Sequence, residues 1–378
     1  MDKNERKQNF YKALPTVGLY IHVPFCVSKC PYCDFYSVPS DEETKEQYVQ
    51  AVLRELNKRK DTFFVDTLYF GGGTPSLLGP QNLYILTDTV RQWFCKDTWE
   101  CTLEANPAED LEDVFAAFAQ AGGNRVSMGL QVADDTLLQK LGRRHTVAQA
   151  EKAVKDLQKQ GIHRYSFDLM LGIPDQTERH IQNSVAFCQE MGAEHVSSYL
   201  LKLEPNTPFG IKPPALPSED QTVEFYLQTC SLLEEKGYLQ YEISNFAKAG
   251  QQSLHNLKYW DAKDVVGIGP AAHSFFNGKR TFYPRDLQSF LLGTLQEEEE
   301  TNVACPAGSL EEYGMLRLRL TEGITQEGMQ KRFGKPIPKG WIENAQKLPP
   351  NLCVTDEKGI RLTRDGFLVS NTILARIM

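Results

Sequence analysis

The sequence predicts an α/β protein: a parallel sheet built from strand–helix units, followed by a smaller α+β portion. Three observations carry this. Six short, β-rich apolar runs recur through the first two-thirds of the 378-residue chain, with helical patterns between them. Chemically distinctive residues gather at the carboxyl ends of those runs. Beyond a Pro-rich stretch, 203–220, the alternation stops. Strands and helices alternating at these lengths form right-handed βαβ units. Six units are too few for a closed eight-stranded barrel and suit an open, partial barrel or a doubly wound sheet.

Taken in order, strands are expected over 17–23, 66–70, 100–104, 125–130, 164–169 and 195–200. Helices are expected over 44–60, 81–94, 111–120, 147–160 and 181–191. After the Pro-rich loop come a helix over 221–236 and a strand over 238–246. Short helices follow beyond about residue 310. The end of the chain reads as a hairpin turning at 357–359 and a final helix. The expected division is 17–236 for the sheet-bearing domain and 237–378 for a C-terminal domain of winged-helix-like outline.

Composition narrows the function. Hydrophobic residues make up 41% and charged residues 24%, as in a packed soluble protein. A net charge of −8 argues against general nucleic-acid binding, so no nucleic-acid partner is expected. There is no apolar run of membrane-spanning length, and the first residues mix acids with bases, unlike a signal or transit segment. The expected location is cytoplasmic. The acidic run 297–300 reads as a solvated surface segment.

Nine cysteines are present. Six of them, Cys95, Cys101, Cys188, Cys230, Cys305 and Cys353, are scattered singly and read as free small hydrophobes. The other three sit in YIHVPFCVSKCPYCDFYS, residues 20–37, with the spacing C-x3-C-x2-C. Short spacings on one loop let thiolates converge on a soft metal centre. Structural zinc takes four ligands, and no nearby pair completes this set. Three thiolates on a [4Fe–4S] cluster leave one iron for a non-protein ligand. Three thiols without metal remain the bland alternative.

Other strand-end features suit a small charged ligand. In GGGTP, 71–75, the missing side chains let backbone carbonyls approach an ammonium group. The segment lacks the pattern of a phosphate loop. Glu104, Gln131, Arg143 and Asp168 offer carboxylates for ribose hydroxyls or a cation, and a guanidinium for a carboxylate.

The C-x3-C-x2-C motif after a first strand resembles the signature of the radical S-adenosylmethionine (SAM) superfamily. The resemblance implies a partial, open TIM-like (β/α)6 barrel, with Cys26, Cys30 and Cys33 holding a [4Fe–4S] cluster. It implies that the open iron chelates the amino and carboxylate groups of S-adenosyl-L-methionine, and that reduction breaks the sulfonium bond to leave a 5′-deoxyadenosyl radical. It further implies S-adenosylmethionine contacts from Tyr20, Tyr32, Gly72, Gly73, Thr74, Glu104, Gln131, Arg143 and Asp168.

Within that superfamily, LYIHVPFC, FGGGTPSLL, LEANP, RVSMGLQ and FDLMLGIPDQT are similar to the oxygen-independent coproporphyrinogen III oxidase group. The oxidase has a fourth cysteine two places after the third and a longer segment ahead of the first strand. Here Phe35 stands at the cysteine's place, and about sixteen residues precede the strand. Both departures resemble the haem-chaperone branch of the group, marked by H-N-x-x-Y-W. The chain has HNLKYW at 255–260. The resemblance implies His255 as a haem-iron ligand, with His273 in GIGPAAHSF as a second candidate. It implies haem binding, delivery to apo-haemoproteins of the respiratory chain, a flavodoxin or ferredoxin as electron donor, a homodimer and peripheral membrane contact. Three other readings stay open: a coproporphyrinogen decarboxylase, another radical SAM enzyme, and a zinc-bearing interaction module.

Overall fold

The computed structural model describes residues 14–301 and 303–378. The polar start, on which the expectation of no transit peptide rests, lies almost wholly outside the described residues. Six strands open the fold: β1 (Thr16–Val23), β2 (Phe64–Gly72), β3 (Cys95–Ala105), β4 (Arg125–Gln131), β5 (Arg164–Leu171) and β6 (His195–Leu200). Each is followed by a helix, over Glu42–Lys58, Gly79–Phe94, Glu112–Gln120, Val147–Lys159, Glu178–Glu190 and Glu219–Glu235. The expected six strand–helix units are all present. Local chemistry starts several of the helices. Asp41, Thr146 and Ser218 each accept the backbone N–H three residues ahead, satisfying first-turn donors that have no helical partner.

The later strands are β7 (Leu239–Gln240), β8 (Asn245–Ala247), β9 (Val265–Ile268), β10 (His273–Phe276), β11 (Lys279–Phe282), β12 (Glu298–Glu299), β13 (Ile324–Thr325), β14 (Cys353–Asp356) and β15 (Gly359–Leu362). The chain forms two compact units, interleaved along the sequence. Of the described residues, one comprises those up to 168 with 202–215 and 264–300, and the other 169–201, 216–263 and those from 301 on. In the first unit the strands run β12-β11-β10-β9-β1-β2-β3-β4-β5. This run is open and does not close into a barrel. β1 to β4 are mutually parallel, and β9 lies parallel to β1 on its other side.

Side chains alternate across these strands. Leu19, Ile21, Leu68, Phe70, Leu103, Val126, Met128 and Phe167 are fully buried on one face. The opposite face carries Tyr20, His22, Tyr69, Glu104, Ser127, Gln131, Ser166 and Asp168. The polar half of the alternation thus lies on one side of the sheet, and its strand-end members form the candidate site.

In the second unit β8 pairs antiparallel with β6 and with β7. The single strand expected over 238–246 is therefore two short ones. Glu242 Oε2 accepts the Ser244 N–H (3.1 Å) and turns the chain between them. The C-terminal part runs helix Leu310–Arg317, β13, helices Gln326–Phe333 and Lys339–Ala345, then the β14–β15 hairpin. This is the element order of a winged helix. Features not foreseen include the short helices Asp135–Lys140, Pro208–Ile211, Leu254–Trp260 and Leu287–Leu292, and the return of 264–300 to extend the first unit's sheet past β1. The acidic run is exposed, as expected, but it is also an edge strand. Glu297 pairs with Arg59, Glu299 with Lys279 (3.3 Å) and Glu300 with His273 (2.6 Å). Charges on such an edge discourage pairing with other chains.

Candidate cluster and cofactor site

The cysteine loop leaves β1 and is tied into a closed turn. Cys26 N–H donates to the Val38 carbonyl (3.1 Å), and Val38 N–H donates to the Pro24 carbonyl (2.8 Å). His22 Nε2 lies 3.1 Å from the Tyr36 carbonyl oxygen. Burial lowers the His22 pKa to about 4, so its imidazole is neutral. Inside the turn, Cys33 N–H donates to the Cys30 carbonyl (3.1 Å). All three cysteines are free and partly exposed. Burial, then the neighbouring Cys30 and Cys26, push the Cys33 thiol up, while a backbone bond at Phe35 opposes them. Among the described residues, no three His, Cys, Asp or Glu side chains are placed to share a single metal ion.

The strand ends close around this loop. Cys26 Sγ is 3.5 Å from Thr74 Oγ1, and Thr74 N–H donates to the Phe25 carbonyl (2.7 Å). Gly72 has φ +112°, a conformation that favours glycine, and its N–H donates to Glu104 Oε2 (3.2 Å). A Cβ on Gly73 would stand 2.5 Å from the Phe25 carbonyl oxygen. Tyr69 donates its hydroxyl to Glu104 Oε1 (2.9 Å) and stacks on Tyr20 at 6.1 Å. Burial and the Asp168 charge raise the Glu104 pKa to about 7, against the bonds from Tyr69 and Gly72. Asp168 accepts from the Ser127 hydroxyl (3.2 Å), which is 2.7 Å from Ser166 Oγ.

Arg143 joins the far strands to the cysteines. Nη2 donates to the Gly129 carbonyl (2.8 Å) and to Asn106 Oδ1 (3.3 Å), and Nη1 reaches Cys30 Sγ at 3.8 Å. Its Nε is buried with no hydrogen-bond partner. Gln131 holds φ +68°, uncommon for a residue with a side chain and concentrated at functional sites. The Tyr32 ring packs near Phe209 (6.4 Å), and burial pushes its hydroxyl pKa well up. Every residue expected from the sequence to meet S-adenosylmethionine therefore lies on this polar side or on the loops that follow it. Sequence reasoning missed Tyr69, His22, Asn106 and Ser127. Period-two alternation would have found His22, Tyr69 and Ser127, since they share faces with Tyr20, Glu104 and Gln131.

The second candidate region lies in the other unit. HNLKYW forms the helix Leu254–Trp260, whose N-cap Ser253 accepts from Asn256 N–H (3.4 Å). His255 is 1% exposed, and its Nε2 is 3.2 Å from the Tyr259 hydroxyl. Asn256, Tyr259 and Trp260 line a cavity of about 230 Å3. His273 is in the first unit, 64% exposed and bonded to Glu300.

Residues 20–188 match the radical SAM superfamily. Over 380 residues the chain is 36% identical to "Heme chaperone HemW" of Haemophilus influenzae, covering 96% of this chain and 97% of that one. It is 36% identical to the protein of the same name from Escherichia coli, over 87% and 92% of the two chains. Identity to the mitochondrial "Radical S-adenosyl methionine domain-containing protein 1" of Bos taurus is 33%, over 96% and 87%. A solved structure, the Escherichia coli coproporphyrinogen III oxidase HemN, described as a radical SAM enzyme, shares the fold. It matches with a TM-score of 0.80 at 21% identity, over 100% of this chain and 93% of that one. The chain belongs to the radical SAM superfamily and, within it, to the family of HemW.

Membership of that superfamily implies a [4Fe–4S] cluster and S-adenosylmethionine. The site fits both. Three soft donors share one tied loop, and the buried Arg143 Nε lacks an acceptor.

Proposed function

We propose that this protein is a haem chaperone that binds haem and delivers it to apo-haemoproteins of the respiratory chain. The observation that carries this reading is similarity along nearly the whole of both chains to proteins named as heme chaperones. Two residue-level features support it. Phe35, where the oxidase has its fourth cysteine, is 66% exposed beside the cysteine loop. HNLKYW occurs whole, on one helix.

In this reading Cys26, Cys30 and Cys33 hold the cluster. Tyr20, Tyr32, Gly72, Gly73, Thr74, Glu104, Gln131, Arg143 and Asp168 hold S-adenosylmethionine. When bound, the pair supplies reductive cleavage of a sulfonium bond. The chain's own residues position and balance charge. Arg143 offers Nε to a carboxylate. Asp168, oriented by Ser127, accepts from ribose hydroxyls, and Glu104 exchanges a proton near neutral pH. His255 would hold the haem iron; its ring is buried and its Nε2 lies 3.2 Å from the Tyr259 hydroxyl, so that contact would have to open first. The protein acts in the cytoplasm, with a flavodoxin or ferredoxin as electron donor and with homodimer and membrane-surface contacts as parts of the same scheme.

An anaerobic haem titration, with and without cluster, tests the proposal. Saturable binding of one haem per chain is expected, weakened in His255→Ala. Undiminished binding in that variant removes His255 as the ligand. Anaerobic conversion of coproporphyrinogen III to protoporphyrinogen by the reconstituted protein would overturn the chaperone reading itself.

A further inference from the structure

The cavity beside the HNLKYW helix has features that haem ligation by His255 does not use. Its lining includes Tyr199, Glu242, Asn245, Asn256, Tyr259 and Trp260. Glu242 is fully buried, at 0% exposure, and Asn245 is 4% exposed. Glu242 Oε2 accepts the Ser244 N–H, but its Oε1 has no hydrogen-bond partner, and neither has Asn245 Oδ1. Two buried acceptors without partners belong to residues that line one cavity, and such acceptors call for donors. The remaining wall includes three aromatic residues, whose ring faces attract positive charge. An acidic oxygen, an amide oxygen and aromatic rings form the environment that suits an N–H-bearing cation.

We propose that this cavity is a binding site for an organic cation with N–H donors: an alkylammonium or alkylguanidinium group, free or at the end of a lysine or arginine side chain. The cation donates to Glu242 Oε1 and Asn245 Oδ1, and its apolar stem lies against Tyr199, Tyr259 and Trp260. This site stands independently of the haem reading, although Tyr259 touches both.

The charged and titratable groups around Glu242 set its response to pH. Arg319 favours its ionised form, as do the Ser244 N–H and the Asn245 amide. Tyr226 lies close enough to feel its charge, and Tyr199 and Tyr259 share its cavity. Burial outweighs these and raises the Glu242 pKa to about 7. The carboxylate is therefore mostly neutral at pH 6 and mostly charged at pH 8, so cation affinity rises across that interval.

The test uses the full chain without haem. Trp260 lines the cavity, so its fluorescence reports filling directly. Titration with n-butylammonium chloride, against sodium chloride at equal ionic strength, should give a saturable change that calorimetry reproduces in Trp260→Phe. Affinity should rise from pH 6 to pH 8. Glu242→Gln should weaken binding about tenfold or more and flatten the pH dependence. Tyr259→Leu should weaken it by a second route. n-Butylguanidinium and a lysine-containing peptide extend the titration. Tighter binding of the peptide than of the free amine assigns the natural cation to a protein side chain, and the reverse assigns it to a small amine. A response that follows ionic strength alone, or equal binding by Glu242→Gln, overturns the proposal and leaves the two oxygens to water. Because no haem is present, either result leaves the haem titration to be judged separately.

Discussion

At Gly72 and Gly73 the polypeptide has no room for a side chain, for different reasons. Gly72 holds φ +112°, and a Cβ there would meet the His22 ring at 2.7 Å. A Gly72→Val change therefore acts through strained backbone and a displaced His22 rather than by filling the cofactor's space. It should abolish S-adenosylmethionine binding in equilibrium dialysis of reconstituted protein while haem affinity stays unchanged. Gly73→Ala drives a methyl group against the Phe25 carbonyl, an overpacking that costs about 1–3 kcal/mol. Denaturant melts read that loss, and weaker visible absorbance after cluster reconstitution should accompany it. At the cysteines, Cys30→Ser replaces a soft donor with a hard one and should lose the cluster. About four irons per chain retained in that variant would contradict the proposed ligand set. Glu242 yields a prediction about pH. Its ordinary pKa of 4.5 rises to about 7 in the folded chain, so folding is favoured most below 4.5, and that advantage disappears as pH rises through 7. The shift amounts to about 3 kcal/mol. Glu242→Gln has no such dependence, so wild type should lose about that much stability relative to the variant between pH 4.5 and pH 8.

At the scale of elements, the helix Leu254–Trp260 shows what a motif can and cannot reveal. Seven residues are too few to hold helical structure alone. Tertiary burial of His255 and Lys258, and the Ser253 cap, keep it in place. Ser253→Ala should cost about 1 kcal/mol in a urea melt and weaken haem binding, with S-adenosylmethionine affinity unaltered. HNLKYW was legible as a string. The inward turn of His255, with Tyr259 over its Nε2, was not, because helix orientation depends on what packs around it. The six opening strands were legible because each is a short apolar run between helical patterns. β7 and β8 were not separated, because the turn between them is made by the Glu242 side chain and has no glycine or proline to mark it.

At the scale of the molecule, the two units are woven from three chain segments each. β1 is bonded to β2 on one side and to β9, some 240 positions later, on the other. A chain truncated after Lys236 keeps all six strand–helix units but leaves the edge of β1 unpaired. It should aggregate or melt without cooperativity, as circular dichroism and light scattering would show. A sharp melt from that fragment would mean that β9 is dispensable.

The amino-acid order alone was enough to set out the alternating strands and helices, the cysteine loop at the end of the first strand and most of the polar residues at the neighbouring strand ends. Those signals are local: periodicity, spacing and residue type within a few positions. Long-range packing brings 264–300 back beside β1, carries Arg143 to Cys30, and gathers Glu242 and Asn245 around one cavity with Tyr259. Such contacts join segments far apart in the chain, and their energies come from packing and burial that no short window of residues encodes.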